Sequence, residues 1–330
     1  MTRPPRSVSF HGLRVERRYD PFDGDAFDVL FRPFAEGPSP STSAGRGEVL
    51  IDAEIRDEPI ALPSGLPPTF FLGHVQAYDA PDGCVLSDRF SRFDLRFDRH
   101  EVRMGICREG AVALPGVTQG MQHLALGLML REFGLFGLHA AGVCIRDHAV
   151  LLVGDCRVGK TTTTLALAPH ATGYLGDDRV LLREGGAGVE LLSYPREFHV
   201  DATTAEAFGL GSRIDTTSRT VEGKHDIAPE AALRVPHQAR FRGSLTLLFP
   251  TVGDGDVTFA TSISRAEAFG LLLTASALTL VEGVRRRDDN LRVLERLANA
   301  GRVFEVSLGR DLLERPTEAS GNLLRAVGVP

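Results

Sequence analysis

The stretch Gly154-Asp155-Cys156-Arg157-Val158-Gly159-Lys160-Thr161 fills the pattern Gly-x-x-x-x-Gly-Lys-[Ser/Thr]. The chemistry this spacing offers is polyphosphate binding. Backbone N–H groups in a glycine-rich turn and at the start of the following helix, Thr162 included, face an anion, and the helix dipole favours its charge. Lys160 would reach the β- and γ-phosphates of ATP, and the Thr161 hydroxyl would hold Mg²⁺. Only two of the 37 basic residues are lysines, Lys160 and Lys224, so a lysine at this position is a selective feature of the chain.

A second group follows closely, in Gly173-Tyr174-Leu175-Gly176-Asp177-Asp178-Arg179-Val180. Two adjacent carboxylates at a strand edge can divide labour, one orienting a metal and the other taking a proton from an attacking hydroxyl. Their mutual repulsion favours a nearby cation, which Lys160 and Mg²⁺ would supply. A solvated Asp-Asp turn is the plain alternative, and closeness to the phosphate loop argues against it. His139, in Leu138-His139-Ala140-Ala141-Gly142-Val143, reads by itself as a satisfied core or edge histidine. Lys224 lies in the polar stretch Val221-Glu222-Gly223-Lys224-His225-Asp226 and is either a solvated loop lysine or a second cation aimed at the phosphates.

These groups need elements to carry them. Ala149-Val150-Leu151-Leu152-Val153 is a short apolar run that reads as a buried strand, and Thr162 to Ala168 starts a helix that Pro169 stops. Strand, glycine-rich turn and helix are the context that gives the pattern physical meaning. A strand over Leu138 to Ile145 and a turn at Arg146-Asp147-His148 precede it. Further strands are expected at Arg179 to Leu182, Val189 to Leu192, Ser244 to Phe249, Val257 to Ala260 and Val303 to Leu308, and helices at Gly120 to Phe133, Arg265 to Val284 and Asp289 to Ala300. Residues 1–115 read as a β-rich region, with Glu48 to Ile55 alternating weakly and Asp88 to Met104 alternating as an antiparallel pair would. Gly37 to Gly47 and Pro63 to Pro68 read as loops. Residues 116–330 form the nucleotide-binding part, α/β with α+β character, without regular βαβ alternation.

Composition bounds the rest. With 43% apolar and 24% charged residues, the 330-residue chain is an ordinary globular protein. A net charge of −6 argues against a nucleic-acid or anionic-membrane surface, and Arg285-Arg286-Arg287 is answered at once by Asp288-Asp289. No run has the length of a membrane span or the form of a signal peptide. Four cysteines, Cys84, Cys107, Cys144 and Cys156, lie far apart with no Cys-x-x-Cys pair, the pattern of reduced cytoplasmic thiols.

His139, the hairpin into Gly154–Thr161, and the pair Asp177-Asp178 together resemble, in order and spacing, the HPr kinase/phosphorylase family and its looser peptide- and protein-serine-kinase relatives. The resemblance covers about residues 120 to 310. It implies a phosphoenolpyruvate-carboxykinase-like α/β fold and a kinase using ATP and Mg²⁺. In it Lys160 binds the transferring phosphate, Thr161 and Asp177 hold the metal, Asp178 is the catalytic base, and His139 stands beside the metal and acceptor. Tyr194-Pro195-Arg196 resembles a Tyr-Pro segment of these relatives, which puts Arg196 in reach of phosphate or substrate. Closed oligomers occur in the family, so a homo-oligomer is an implied partner state. Arg157 and Val158 replace small residues of the family's loop, Thr162 replaces its usual Glu, and the later segment used for phosphorylase activity and carrier docking is absent; the resemblance therefore extends to the kinase half alone. The acceptor is a peptide or protein Ser/Thr, with residues 1–115 helping present it, or a small-molecule alcohol. A non-catalytic nucleotide sensor is the other class, against which the presence of both aspartates argues. A switch NTPase would need Asn-Lys-x-Asp, which does not occur.

Overall fold

Period-two alternation shapes the first part of the chain. In Ser91-Arg-Phe-Asp-Leu-Arg96 the residues Phe93 and Leu95 are buried while Arg92, Asp94 and Arg96 lie on the opposite, wetter face. Burying each such side chain is worth about 1.5–3 kcal/mol. In the computed structural model, which describes residues 7–19, 47–58, 60–61, 67–88, 90–109, 115–186, 188–194, 197–213, 223–276 and 284–330, this strand belongs to an eight-stranded sheet. Its members are β1 (Ser7–Phe10), β2 (Leu13–Arg18), β3 (Gly47–Arg56), β4 (Phe70–Leu72), β5 (Val75–Ala80), β6 (Gly83–Ser87), β7 (Ser91–Arg96) and β8 (Glu101–Cys107), in the spatial order β1-β2-β3-β8-β7-β6-β5-β4. β7 and β8 are the antiparallel pair expected from the alternation, with Phe93 opposite Met104. Helix α1 (Pro115–Arg131) packs against β7 and β8 and, from Met121 on, is buried nearly all round. The sheet and α1 fall in one compact unit, Met1–Leu135 with Val281–Arg286; Phe136–Leu280 and Arg287–Pro330 form the other.

The second unit is mixed α/β. It contains β9 (Phe136–Leu138), β10 (Ala140–Ile145), β11 (His148–Val153), helix α2 (Lys160–Leu167), β12 (Gly173–Gly176), β13 (Val180–Gly185), β14 (Gly188–Ser193) and β15 (Phe198–Val200). After α3 (Ala202–Ala207) come β16 (His225–Ile227), α4 (Pro229–Leu233), β17 (Arg240–Phe241), β18 (Ser244–Val252), β19 (Phe259–Ser262), α5 (Arg265–Ala275), α6 (Arg287–Ala300), β20 (Arg302–Leu308), α7 (Asp311–Glu314) and α8 (Pro316–Ala326). A six-stranded sheet runs β12-β10-β11-β18-β20-β19, with β11, β18 and β20 parallel. Its strands alternate apolar residues between two faces. Val150, Leu152 and Val306 meet Ala166 and Leu167 of α2 and Leu323 of α8, while Leu151 and Leu247 meet Leu272 of α5 and Leu294 of α6. A sheet buried on both faces explains the continuous apolar strands.

The single strand expected over Leu138 to Ile145 is in fact two. β9 pairs with β13 in a four-stranded sheet, β17-β14-β13-β9, whereas β10 pairs with β11 and β12 in the six-stranded one. Both halves are buried, so their shared apolar character hides the break. The chain changes sheet a second time between β12 and β13, across Asp177-Asp178-Arg179. One seam between the two sheets thus holds His139 on one crossing and the aspartate pair on the other.

Of the other expected elements, the helix begun at Arg265 starts with a Ser264–Glu267 capping box and ends at Ala275, where Ser276 leaves the helical region at φ −114 and ψ 57, so it stops short of the expected Val284; residues 277–283 lie outside the described residues. Most of the two expected loops, residues 37–46 and 63–66, lie there too. Among the described residues no helix is long and apolar enough to cross a membrane. All four cysteines are free; burial pushes the Cys84 and Cys144 thiols up to about 12, which keeps them protonated.

Candidate active site at the seam of two sheets

The phosphate loop leaves β11 at the seam. Gly154 N–H donates to the His139 carbonyl at 3.4 Å, which ties the loop's first residue to the first sheet crossing. Gly159 closes the loop at φ 93, the left-handed region that favours glycine. A Cβ there would stand 2.3 Å from Leu308 Cδ1. We expect Gly159→Ala to destabilise the fold by about 1–2 kcal/mol and to deform the loop, read as a lower Tm together with lost affinity for ADP. Arg157 also sits in the left-handed region, at φ 67, which costs about 1 kcal/mol for a side-chain-bearing residue. The small residues of the resembling loops would adopt that conformation more freely.

Helix α2 has eight residues and begins Lys-Thr-Thr-Thr-Thr, a poor helical sequence. Each threonine has a separate bond. Thr163 and Thr164 donate to the carbonyls of Gly159 and Lys160, both at 2.9 Å. Thr162 Oγ1 lies 3.2 Å from Thr204 Oγ1 on α3, and Thr161 Oγ1 donates to Asp177 Oδ2 at 3.0 Å. Packing of Leu165, Ala166 and Leu167 supplies the rest.

Lys160 is buried, and its ammonium donates to Gly154 O at 2.8 Å, to Asp155 O at 2.7 Å and to His139 Nε2 at 2.9 Å. An ammonium only donates, so His139 Nε2 is the acceptor and the ring proton sits on Nδ1. That nitrogen lies 3.3 Å from Asp178 Oδ1. Burial lowers the pKa of His139, in keeping with a neutral ring, and burial likewise lowers that of Lys160, partly offset by Asp178. Lysine, histidine and aspartate form one chain: Lys160, His139, Asp178.

The two aspartates differ in surroundings. Asp178 is half-buried, whereas Asp177 is buried and its pKa is pushed up to about 7, by burial first and by the Asp178 charge second. Asp177 Oδ1 is buried with no hydrogen-bond partner among the described residues, beside the Thr161 hydroxyl that Oδ2 accepts. An orphaned carboxylate oxygen next to a loop hydroxyl fits a hard divalent cation. Among the described residues no group of three or more His, Cys, Asp and Glu could hold a metal, so such a cation would take its remaining oxygens from phosphate and water, the usual habit of Mg²⁺.

The remaining expected residues are more scattered. Cys156, exposed in the loop, has its Sγ 4.0 Å from His139 Nε2. Lys224 stands immediately ahead of β16, whose partner β15 touches α2. Arg196 lies outside the described residues, while the neighbouring Tyr194 is buried with the Arg179 guanidinium 5.2 Å from its ring centre. Sequence reasoning missed His199. Its Nδ1 is 2.7 Å from Asp226 Oδ1, its Nε2 is buried without a partner among the described residues, and it lowers the pKa of Asp177. A histidine alternating with the buried Phe198 and Val200 was the available signal.

No family model matches this chain, and no curated protein matches it. Among solved structures it is similar to the Hpr(Ser) kinase/phosphatase from Coxiella burnetii. The identity is 16%, over 38% of this chain and 72% of that one, with a TM-score of 0.23. A likeness of that size carries no argument, and the functional reading rests on the site.

Proposed function

We propose that the chain is an ATP- and Mg²⁺-dependent phosphotransferase with an HPr-kinase-like phosphate-loop core, moving a γ-phosphoryl group to a hydroxyl, foremost that of a peptide or protein Ser/Thr. The observation that carries the reading is the convergence at the seam: Lys160, His139 and Asp178 linked in series beside Thr161 and the orphaned Asp177 oxygen. A phosphate loop that only bound nucleotide would have no use for a second carboxylate oriented by a histidine.

When bound, Mg²⁺ neutralises charge on the β- and γ-oxygens. Thr161 and Asp177 would hold it, and the loop N–H groups and Lys160 would bind the phosphates. Lys160 uses all three of its donors within the protein, so it must release at least one of these partners, a loop carbonyl or His139 Nε2, to contact the γ-phosphoryl. Asp178 takes the acceptor's hydroxyl proton as the oxygen attacks in line. The acceptor O–P bond forms as the bond to the β–γ bridging oxygen breaks, giving a phosphate ester, ADP and a proton on Asp178. His139 Nδ1–H holds the carboxylate in place for that transfer. Lys224 and Arg196 are assigned to phosphate or substrate contact, and the first unit to presenting the acceptor.

The test is a phosphotransfer screen read by intact-mass spectrometry, with Mg·ATP, candidate peptides and proteins encoded beside this gene, and a metabolite extract. A phosphoryl mass gain on a peptide or protein, with wild type only and not with Asp178→Asn, is the expected result. A gain confined to a metabolite would move the acceptor to a small-molecule alcohol. No gain on any acceptor, with nucleotide binding intact in both proteins, would leave a nucleotide sensor.

A further inference from the structure

The sheet order fixes a direction for a nucleotide in the phosphate loop. The aspartate pair follows β12, on one flank of the loop strand β11, while β18 and β20 lie on the other. With the γ-phosphoryl held toward Lys160 and Asp178, the opposite flank open to the α-phosphate and nucleoside is the carboxyl ends of β18 and β20, the edge where open α/β sheets take ligands. The turn from β18 to β19 crosses that edge. Gly253 N–H donates to Leu308 O at 3.0 Å, and Arg310 and Asp311 N–H donate to the carbonyls of Gly255 and Asp256 at 3.1 and 3.0 Å. Buried Asp311 accepts from Thr258 N–H and Oγ1 at 2.9 and 2.7 Å, and Arg310 Nε from the other side holds Asp256 at 2.7 Å. The turn is thus prebuilt by a satisfied network, yet it leaves apolar surface in water.

Val252 is 69% exposed and Val257 63%, two of the four large hydrophobic side chains in that state among the described residues. Val252 adjoins the loop itself: its Cγ2 lies 4.0 Å from where a Cβ on Gly159 would stand. Between the valines, Asp254 carries an exposed carboxylate with no hydrogen bond or ion pair among the described residues. An exposed carboxylate two residues beyond Val252, the residue that adjoins the phosphate loop, suits ribose hydroxyls, which donate to it, and an exposed aliphatic wall suits the face of a base.

We propose that the turn 252–258 is the nucleoside subsite of the phosphate loop, with the base lying on Val252 and Val257 and the Asp254 carboxylate accepting from ribose hydroxyls. This rests on the nucleotide-binding reading above. The test compares ADP with inorganic tripolyphosphate, both with Mg²⁺, by calorimetry on wild type, Val252→Ser and Asp254→Asn, with Tm as a check on folding. The substituted side chains are exposed, so the fold should survive both changes. Expected is a loss of about threefold or more in ADP affinity for both Val252→Ser and Asp254→Asn, with tripolyphosphate affinity within about twofold of wild type. Equal losses for both ligands, or no loss for ADP, would overturn the subsite and leave the phosphate loop standing. Wild type binding neither ligand would remove the nucleotide reading and the subsite with it.

Discussion

Asp178→Asn should reduce phosphoryl transfer about a thousandfold while leaving the affinity for Mg·ADP within about threefold of wild type. The substitution keeps shape and still offers an oxygen to the His139 Nδ1–H, 3.3 Å away in the native protein. It removes only the capacity to accept a proton. Phosphate binding is assigned to the loop N–H groups, Lys160 and Thr161, none of which it alters. Calorimetric titration with Mg·ADP and a single-turnover transfer assay would separate the two effects. Equal losses of binding and turnover would instead make Asp178 a binding group. A variant that still turned over at wild-type rate would take the base away from this position.

Asp177→Asn should do two opposite things. It should abolish the metal's contribution to nucleotide affinity, and it should stabilise the protein when metal and nucleotide are absent. Asp177 is buried, its Oδ1 has no partner among the described residues, and its pKa is raised from the ordinary carboxylate value to about 7. A raised pKa means the folded state holds the proton more tightly than the unfolded chain. The stabilisation this gives is complete below the unfolded value of about 4 and is lost as pH climbs from there through about 7. Ligand-free wild type should therefore lose stability between about pH 4 and about pH 7 relative to Asp177→Asn, with the variant's Tm higher by about 3 °C or more at pH 8 and the two close at pH 4. Adding Mg·ADP at pH 8 should raise the Tm of wild type well beyond that of the variant. A residue that destabilised the empty fold and strengthened metal binding would be a trade of stability for function. A variant that was less stable than wild type at pH 8 without ligand would show that the carboxylate earns its place structurally.

The parts of the site written in consecutive residues were legible in the sequence. Gly154 to Thr161 fixes its own turn through the left-handed Gly159, and Asp177-Asp178 is visible as a pair close behind it. Strands β11, β13, β14 and β18 follow from short apolar runs of strand length that are mostly buried, and β20 from its alternation of buried Val303, Val306 and Leu308 with exposed Arg302 and Glu305. What the sequence hides is pairing. Leu138 and Ala140 are equally buried, yet one pairs with Val180 and the other with Val153, and hydropathy cannot tell which sheet a strand joins. The seam, and with it the chain from Lys160 through His139 to Asp178, exists only once both crossings are made. His139 for that reason reads from sequence as a core histidine, and the resemblance alone singled it out. His199 and Asp226 are 27 residues apart and meet only through the short β15–β16 ladder. Helix α8 escaped notice because its apolar positions, Ala319, Leu323 and Leu324, are few and spaced among polar residues, though they close the core over α2.

The most direct test of the central claim is a crystal structure of the protein with Mg·ADP and aluminium fluoride, a mimic of the phosphoryl group in flight. The expected result has the metal bound to Thr161 and Asp177, Lys160 Nζ on a fluoride, and the open in-line position facing the Asp178 carboxylate. An in-line position turned away from Asp178, or ADP bound outside the Gly154–Thr161 loop, would contradict the account.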